Sequence, residues 1–167
     1  MESRAKAMGH AVHPMLICFP LGLLATASIF DIVYLVTDKG GFAIASGYMI
    51  GAGVLSGLVA AVFGLIDWKA IPSGTRAKRI GVIHGAGNAV VTVLFALSWL
   101  LRSGGDQWRP GALALILSFA AVALSLVTGW LGGELVERLG IGVDDDANLN
   151  APNSLSDTRR DPAMSGR

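Results

Sequence analysis

This sequence predicts an all-α integral membrane protein, an antiparallel up-down four-helix bundle, and three observations carry the expectation. The 167-residue chain is 53% hydrophobic and 15% charged, with a mean hydropathy of +0.59; soluble domains carry about 25% charged residues. Its charges gather in short patches that separate four apolar stretches, at about 14–36, 43–66, 80–101 and 111–133. Each stretch meets the roughly 20 residues that a bilayer-crossing helix requires. None alternates as a barrel strand would. The connectors "TDKGGF", "DWKAIPSGTRAKR" and "RSGGDQWRP" are short, so successive helices should be antiparallel neighbours. A net charge of +1 gives no polyanion-binding signature and excludes nucleic acid as an expected partner. Cys18 is the single cysteine, so no internal disulfide can form.

Residues 1–13 read as an N-terminal arm that leads into the first span through "GHAVHPMLICFP". Pro14 suits a first helical turn, where its missing N–H is no loss, and it disfavours helical backbone at His13. His13 is therefore expected at a cap, with His10 on the arm. Pro20 falls inside the span and should kink it, freeing a carbonyl. Arg4, Lys6 and the "ATA" at 25–27 imitate a cleavable secretory signal, but the apolar run continues through "SIFDIVYLV", which argues for a retained span. Asp31 should lie about 25 Å along the helix from Pro14, near the far interface rather than the centre. It is expected to face the bundle, bonded to Tyr48 or Ser46 or paired with Arg102, as a structural acid rather than a proton relay.

The later spans are rich in glycine at four-residue spacing: Gly47 and Gly51, Gly53 and Gly57, Gly81 and Gly85, Gly129 and Gly133, with Gly64 on the face of Gly57. Small residues at this spacing let helices approach closely. Closure of one bundle is the expected use, and homodimerisation through the glycine-rich faces is the alternative. Spans one and three each begin with a histidine, His13 and His84; spans two and four each end with an acid, Asp67 and Glu134, at intervals of 54 and 50 residues. A duplicated two-helix hairpin would produce that pattern. Residues 144–167 are polar and lack apolar periodicity, and read as a disordered cytoplasmic tail.

Lysine and arginine set the orientation. One side carries Arg4, Lys6, Lys69, Arg76, Lys78, Arg79 and Arg138, the other Lys39, Arg102 and Arg109. That bias predicts both termini and the central loop in the cytoplasm, and the bacterial inner membrane as location. Trp68, Trp99 and Trp108 lie near span ends, as interfacial aromatics should.

This topology brings His10, His13, His84, Asp67 and Glu134 to one end of the bundle, with Asn88 a turn below His84 and Cys18 a turn below Pro14. Three chemistries could use that layer. In haem b, His13 or His10 with His84 would ligate the iron while Arg76, Lys78 and Arg79 neutralise the propionates. A divalent metal would draw on the histidines, Cys18, Asp67 and Glu134. Without a cofactor, the histidines would simply bond to the carboxylates. No G-x-x-x-x-G-K-[ST], H-E-x-x-H or G-x-S-x-G motif supports phosphoryl or hydrolytic chemistry. The absence of polar residues at mid-depth argues against a transport path in one protomer.

"GHAVHPMLICFPLGLL", "GLIDWKAIPSGTRAKRIGVIHGAGN" and "VTGWLGGELVERLGIGV" together resemble the DUF2231 family of bacterial membrane proteins, over residues 9–143. The resemblance implies a four-helix inner-membrane fold without an established activity. Some relatives are joined to Rieske iron–sulfur domains, which implies a redox setting, a Rieske-type partner and, by association, haem. The family motifs fall here on His10, His13, Pro14, Asp67, Trp68, Arg76, His84, Asn88, Gly129, Trp130, Gly132, Gly133 and Glu134. Two departures bear on any ligand set: Ala11 stands where relatives often have proline, and Leu139 where many have histidine. The expectation is thus a b-haem electron-transfer subunit or, as the alternative, a non-catalytic membrane scaffold with a structural histidine–carboxylate cluster.

Overall fold

A computed structural model describes residues 1–155. Four helices are long and apolar enough to cross a membrane, at 12–37, 40–70, 76–103 and 112–138. The first consists of α1 (Val12–Leu16) and α2 (Cys18–Thr37); the others are α3 (Gly40–Ala70), α4 (Arg76–Ser103) and α5 (Ala112–Gly133), which continues into a π-helical turn at Glu134–Arg138. Each outruns its apolar window because helical hydrogen bonding persists into the polar flank until a local signal stops it. α2 ends where Asp38 turns left-handed at φ 52°, α3 runs up to the Ile71–Pro72 step, and α4 starts behind Thr75, whose hydroxyl caps the Lys78 amide.

The prolines of the first span behave differently from one another. Pro20 cannot donate to the Leu16 carbonyl, and the helix is interrupted at Ile17, where the expected break falls. Pro14 does not hold His13 at a cap. The N-cap is Ala11, and His13 lies inside α1 one residue before the proline. Pro14 is the third helical residue, still among the first four whose amides have no intrahelical acceptor, so the helix can begin two residues earlier than expected.

The helices pack as two hairpins, α2 on α3 and α4 on α5, joined along α3 and α4. The buried core is thin: Ala27, Ile50, Val91, Phe95 and Ala121. Large apolar side chains point outward instead, among them Leu55, Ile116 and Leu126, as lipid requires. With no hydrophobic drive between helices in a bilayer, close packing and polar ties must hold them together. The glycines of α3 supply the packing. Gly47 receives the Trp108 ring, Gly51 that of Trp99, and Gly53 the Leu24 side chain. These three glycines are thus used inside one bundle, while Gly85, Gly129 and Gly133 face open space.

The strongest polar tie is at the far end from the histidines. Asp31 and Arg102 are fully buried and joined bidentately, at 2.9 and 3.1 Å. Ser46, Ser98 and Ser118 accept further bonds from the same guanidinium, at 3.0, 3.0 and 3.3 Å. Arg102 pairing is therefore the one realised among the expected partners of Asp31. Ser46 bonds the arginine rather than the acid, and Tyr48 lies exposed against Trp108. Arg102 also leaves the set of loop charges, since it is a core residue.

At the opposite end the N-terminal arm folds into a two-stranded hairpin, β1 (Lys6–Ala7) against β2 (His10–Ala11). Its two-residue turn, Met8 and Gly9, has φ of 51° and 81°, the doubly positive pattern whose twist matches antiparallel strands. The arm is fastened to the chain after α5. The Gly142 amide donates to the Met1 carbonyl at 2.9 Å, and Lys6 bridges Glu2 and Asp144 at 2.7 and 2.5 Å. Residues 144–155 of the expected tail follow turns beside this arm; the rest of it lies outside the described residues.

Candidate functional site

The two span-leading histidines do not bond to carboxylates. His13 reaches across to α3, where its Nδ1 lies 2.9 Å from the Ala60 carbonyl oxygen. His84 reaches to α5, its Nδ1 2.9 Å from the Thr128 carbonyl oxygen. A carbonyl only accepts, so in each neutral ring Nδ1 carries the proton and Nε2 keeps its lone pair. Glycine makes both approaches possible. A Cβ on Gly64 would stand 2.9 Å from His13 Cε1, and one on Gly132 3.1 Å from His84 Cε1.

Asn88 completes the second arrangement. Its amide donates to the His84 carbonyl at 2.9 Å and lies 3.3 Å from Nε2, and its oxygen accepts from the Thr128 hydroxyl at 3.1 Å. The expected juxtaposition of His84 and Asn88 is therefore present, with Thr128 as a third member. The Thr128 hydroxyl was visible in the sequence, but its carbonyl carries no sequence signal as an acceptor, and neither does that of Ala60.

The two carboxylates are bound elsewhere. Asp67 is wrapped by the arm: the Ser3 hydroxyl donates at 2.8 Å to both of its oxygens, and the Arg4 and Ala5 amides donate at 2.7 and 3.2 Å. Glu134 pairs with Arg76 at 2.6 Å, presented by the π-helical turn. Lys78 sits 3.9 Å above the Trp68 ring and donates to the Trp68 carbonyl at 2.7 Å. His10 lies exposed on the arm hairpin, Nδ1 3.1 Å from the Met8 carbonyl oxygen. Cys18 is exposed and bonds to the Met15 carbonyl, and Arg79 is exposed on α4. The shared end of the bundle is as expected. The single layer is not, because each group has a different local partner.

Ring orientation of this kind, with Nδ1–H on a backbone carbonyl, is what an axial or metal-ligating imidazole needs. The surroundings do not suit a porphyrin between His13 and His84. Of the expected propionate partners, Arg76 and Lys78 are engaged with Glu134 and Trp68, and Arg79 lies exposed. Two open recesses among the described residues have volumes of about 320 and 310 Å3. One lies beside Cys18, Leu23 and Met49, the other beside Phe30 and Phe42, and neither is lined by a histidine. For a metal, the ligand-rich cluster among the described residues is Glu2, Asp144 and Asp146 on the arm and tail, without a histidine.

Comparison with curated proteins and with solved structures finds no match. A family match does exist, described as "Predicted membrane protein (DUF2231)", over residues 9–145. It covers all four spans, both histidine–glycine contacts and the Asp31–Arg102 pair. The chain belongs to the DUF2231 family of membrane proteins.

Proposed function

We propose that this chain is a non-catalytic scaffold or interaction subunit of the bacterial inner membrane, with both termini and the central loop in the cytoplasm. One observation carries the reading: the polar groups that could form a reactive layer are closed on partners within the chain. His13 and His84 tie helices together through backbone carbonyls, Asp67 holds the arm, and Glu134 holds Arg76. Groups satisfied in this way stabilise a fold, since losing such a bond leaves a buried acceptor unpaired. Copies of the chain would meet through the open glycines Gly85, Gly129 and Gly133, where helices can approach.

The competing reading is a b-haem electron-transfer subunit serving a Rieske-type partner, and the neutral-ring tautomers favour it. An absorption spectrum of the detergent-purified, haem-replete protein separates the two. A colourless, folded protein is the expected result. A reducible Soret and α band that disappears in His84→Ala would establish haem and end the scaffold reading.

A further inference from the structure

We infer that the bundle is two copies of one helical hairpin about an axis running along the helices, and that Asp31 and Arg102 occupy the same position in the two copies and specify their pairing. The correspondence is read from buried positions and repeated contacts. In the first helix of each hairpin the register is 71 residues: His13 with His84, Ala27 with Ser98, Asp31 with Arg102. Ala27, Ser98, Asp31 and Arg102 are all buried. In the second helix the register is 68: Ser46 with Ala114, Ile50 with Ser118, Gly53 with Ala121, Ala60 with Thr128. Those four pairs are buried in both helices. The change of register falls between Asp31 and Ser46 in one hairpin and Arg102 and Ala114 in the other, where the helix ends beside the longer Gly104–Gly111 connection are shorter than those beside the Asp38–Lys39 turn.

The chemistry repeats in the same register. The carbonyls of Ala60 and Thr128 accept from the two histidines, and Gly64 and Gly132 make room for their rings. Asp67 and Glu134 are not equivalent in this register; Asp67 corresponds to the buried Leu135. The duplication therefore rests on the histidines, glycines and core.

Equivalent residues of two copies touch each other directly only near a two-fold axis. Asp31 and Arg102 do so, which places their pair there. The consequence is selectivity. A first hairpin meeting another first hairpin would bury two carboxylates together, and two second hairpins would bury two guanidiniums. Only the mixed pairing neutralises the charge. The surroundings are differentiated to match. Ser46, Ser98 and Ser118 all bond Arg102, whereas their equivalents Ala114, Ala27 and Ile50 carry no hydroxyl.

Full-length variants test this through the yield of folded, monodisperse protein from detergent. Asp31→Arg and Arg102→Asp alone should each fall roughly tenfold or more, from buried like charge. The double reversal should regain roughly a third of the native yield, since the pair is restored without its hydroxyls. Adding Ala27→Ser and Ala114→Ser places hydroxyls at two of the three equivalent positions around the relocated arginine, and should raise recovery to within about twofold of native. A double reversal no better than the single variants would overturn the pairing role. Serines that bring no further gain would overturn the equivalence of the positions. As an independent reading, Asp31→Asn with Arg102→Gln removes the charge from every pairing. Differently tagged copies of that variant should exchange hairpins and co-purify; if they stay as separate as the native protein, the selectivity argument fails.

Discussion

The contact between an imidazole and a glycine is the smallest unit on which this bundle depends. A ring can reach the backbone of the next helix only where no Cβ intervenes, and Gly64 provides that gap for His13. Gly64→Ala should therefore destabilise the protein by about 1–3 kcal/mol, the usual cost of overpacking. Gly22→Ala, with nothing within 4 Å of the added carbon, should stay within about 0.5 kcal/mol of the parent. Thermal unfolding in detergent compares the two, and equal losses would count against the histidine tie. Part of this was legible from residue types alone. Gly64 falls on the small-residue face of its helix, and Asp31 and Arg102 are opposite charges at similar depth. The histidine partners were not legible, because every residue offers a carbonyl and only packing selects which one accepts.

The arm hairpin is an element whose stability should depend on pH. The Glu2 carboxyl titrates below its ordinary 4.5 because Lys6 hydrogen-bonds to it, and Lys6 titrates above its ordinary 10.5 through its bonds to Asp144 and Glu2. A depressed carboxyl stabilises the folded arm above its ordinary pKa, and that contribution is lost as pH falls through the lowered value. A raised ammonium stabilises it below its ordinary pKa, and that contribution is lost as pH rises through the higher value. The latch should hold across the interval between those ordinary values and loosen outside it. A fluorophore placed by Met8→Cys in a Cys18→Ser background should show constant anisotropy from about pH 6 to 9 and a decline in strong acid and strong base. A steady change through neutrality would contradict the latch. The helix elements show how local rules compete. The break near Pro20 follows from its missing N–H, whereas Pro14 failed to exclude His13 from the helix because the first turn tolerates a proline at its third position as well.

For the whole molecule, the placement of charge is what the proposed orientation rests on. With Arg102 buried in the bundle, the far loops keep only Lys39 and Arg109 of the three cations first assigned there, which strengthens the charge bias behind the proposed cytoplasmic central loop. A phosphatase–fluorescent protein reporter pair fused at Ser73 should give fluorescence without phosphatase activity, and the reverse would invert the topology. The scale of the whole also explains why the polar layer dissolved into separate contacts. Topology brings residues to the same end of a bundle, but hydrogen bonds are formed over about 3 Å. At that range the arm claimed Asp67 and the π-helical turn delivered Glu134 to Arg76. By itself the sequence determined the number, type and approximate limits of the spans, since a bilayer admits only long apolar segments that satisfy their own backbone. Only the tertiary structure decided which carbonyl each histidine takes, where each glycine is used and what the two carboxylates hold. Those outcomes depend on the rotation and separation of neighbouring helices, which no apolar periodicity records.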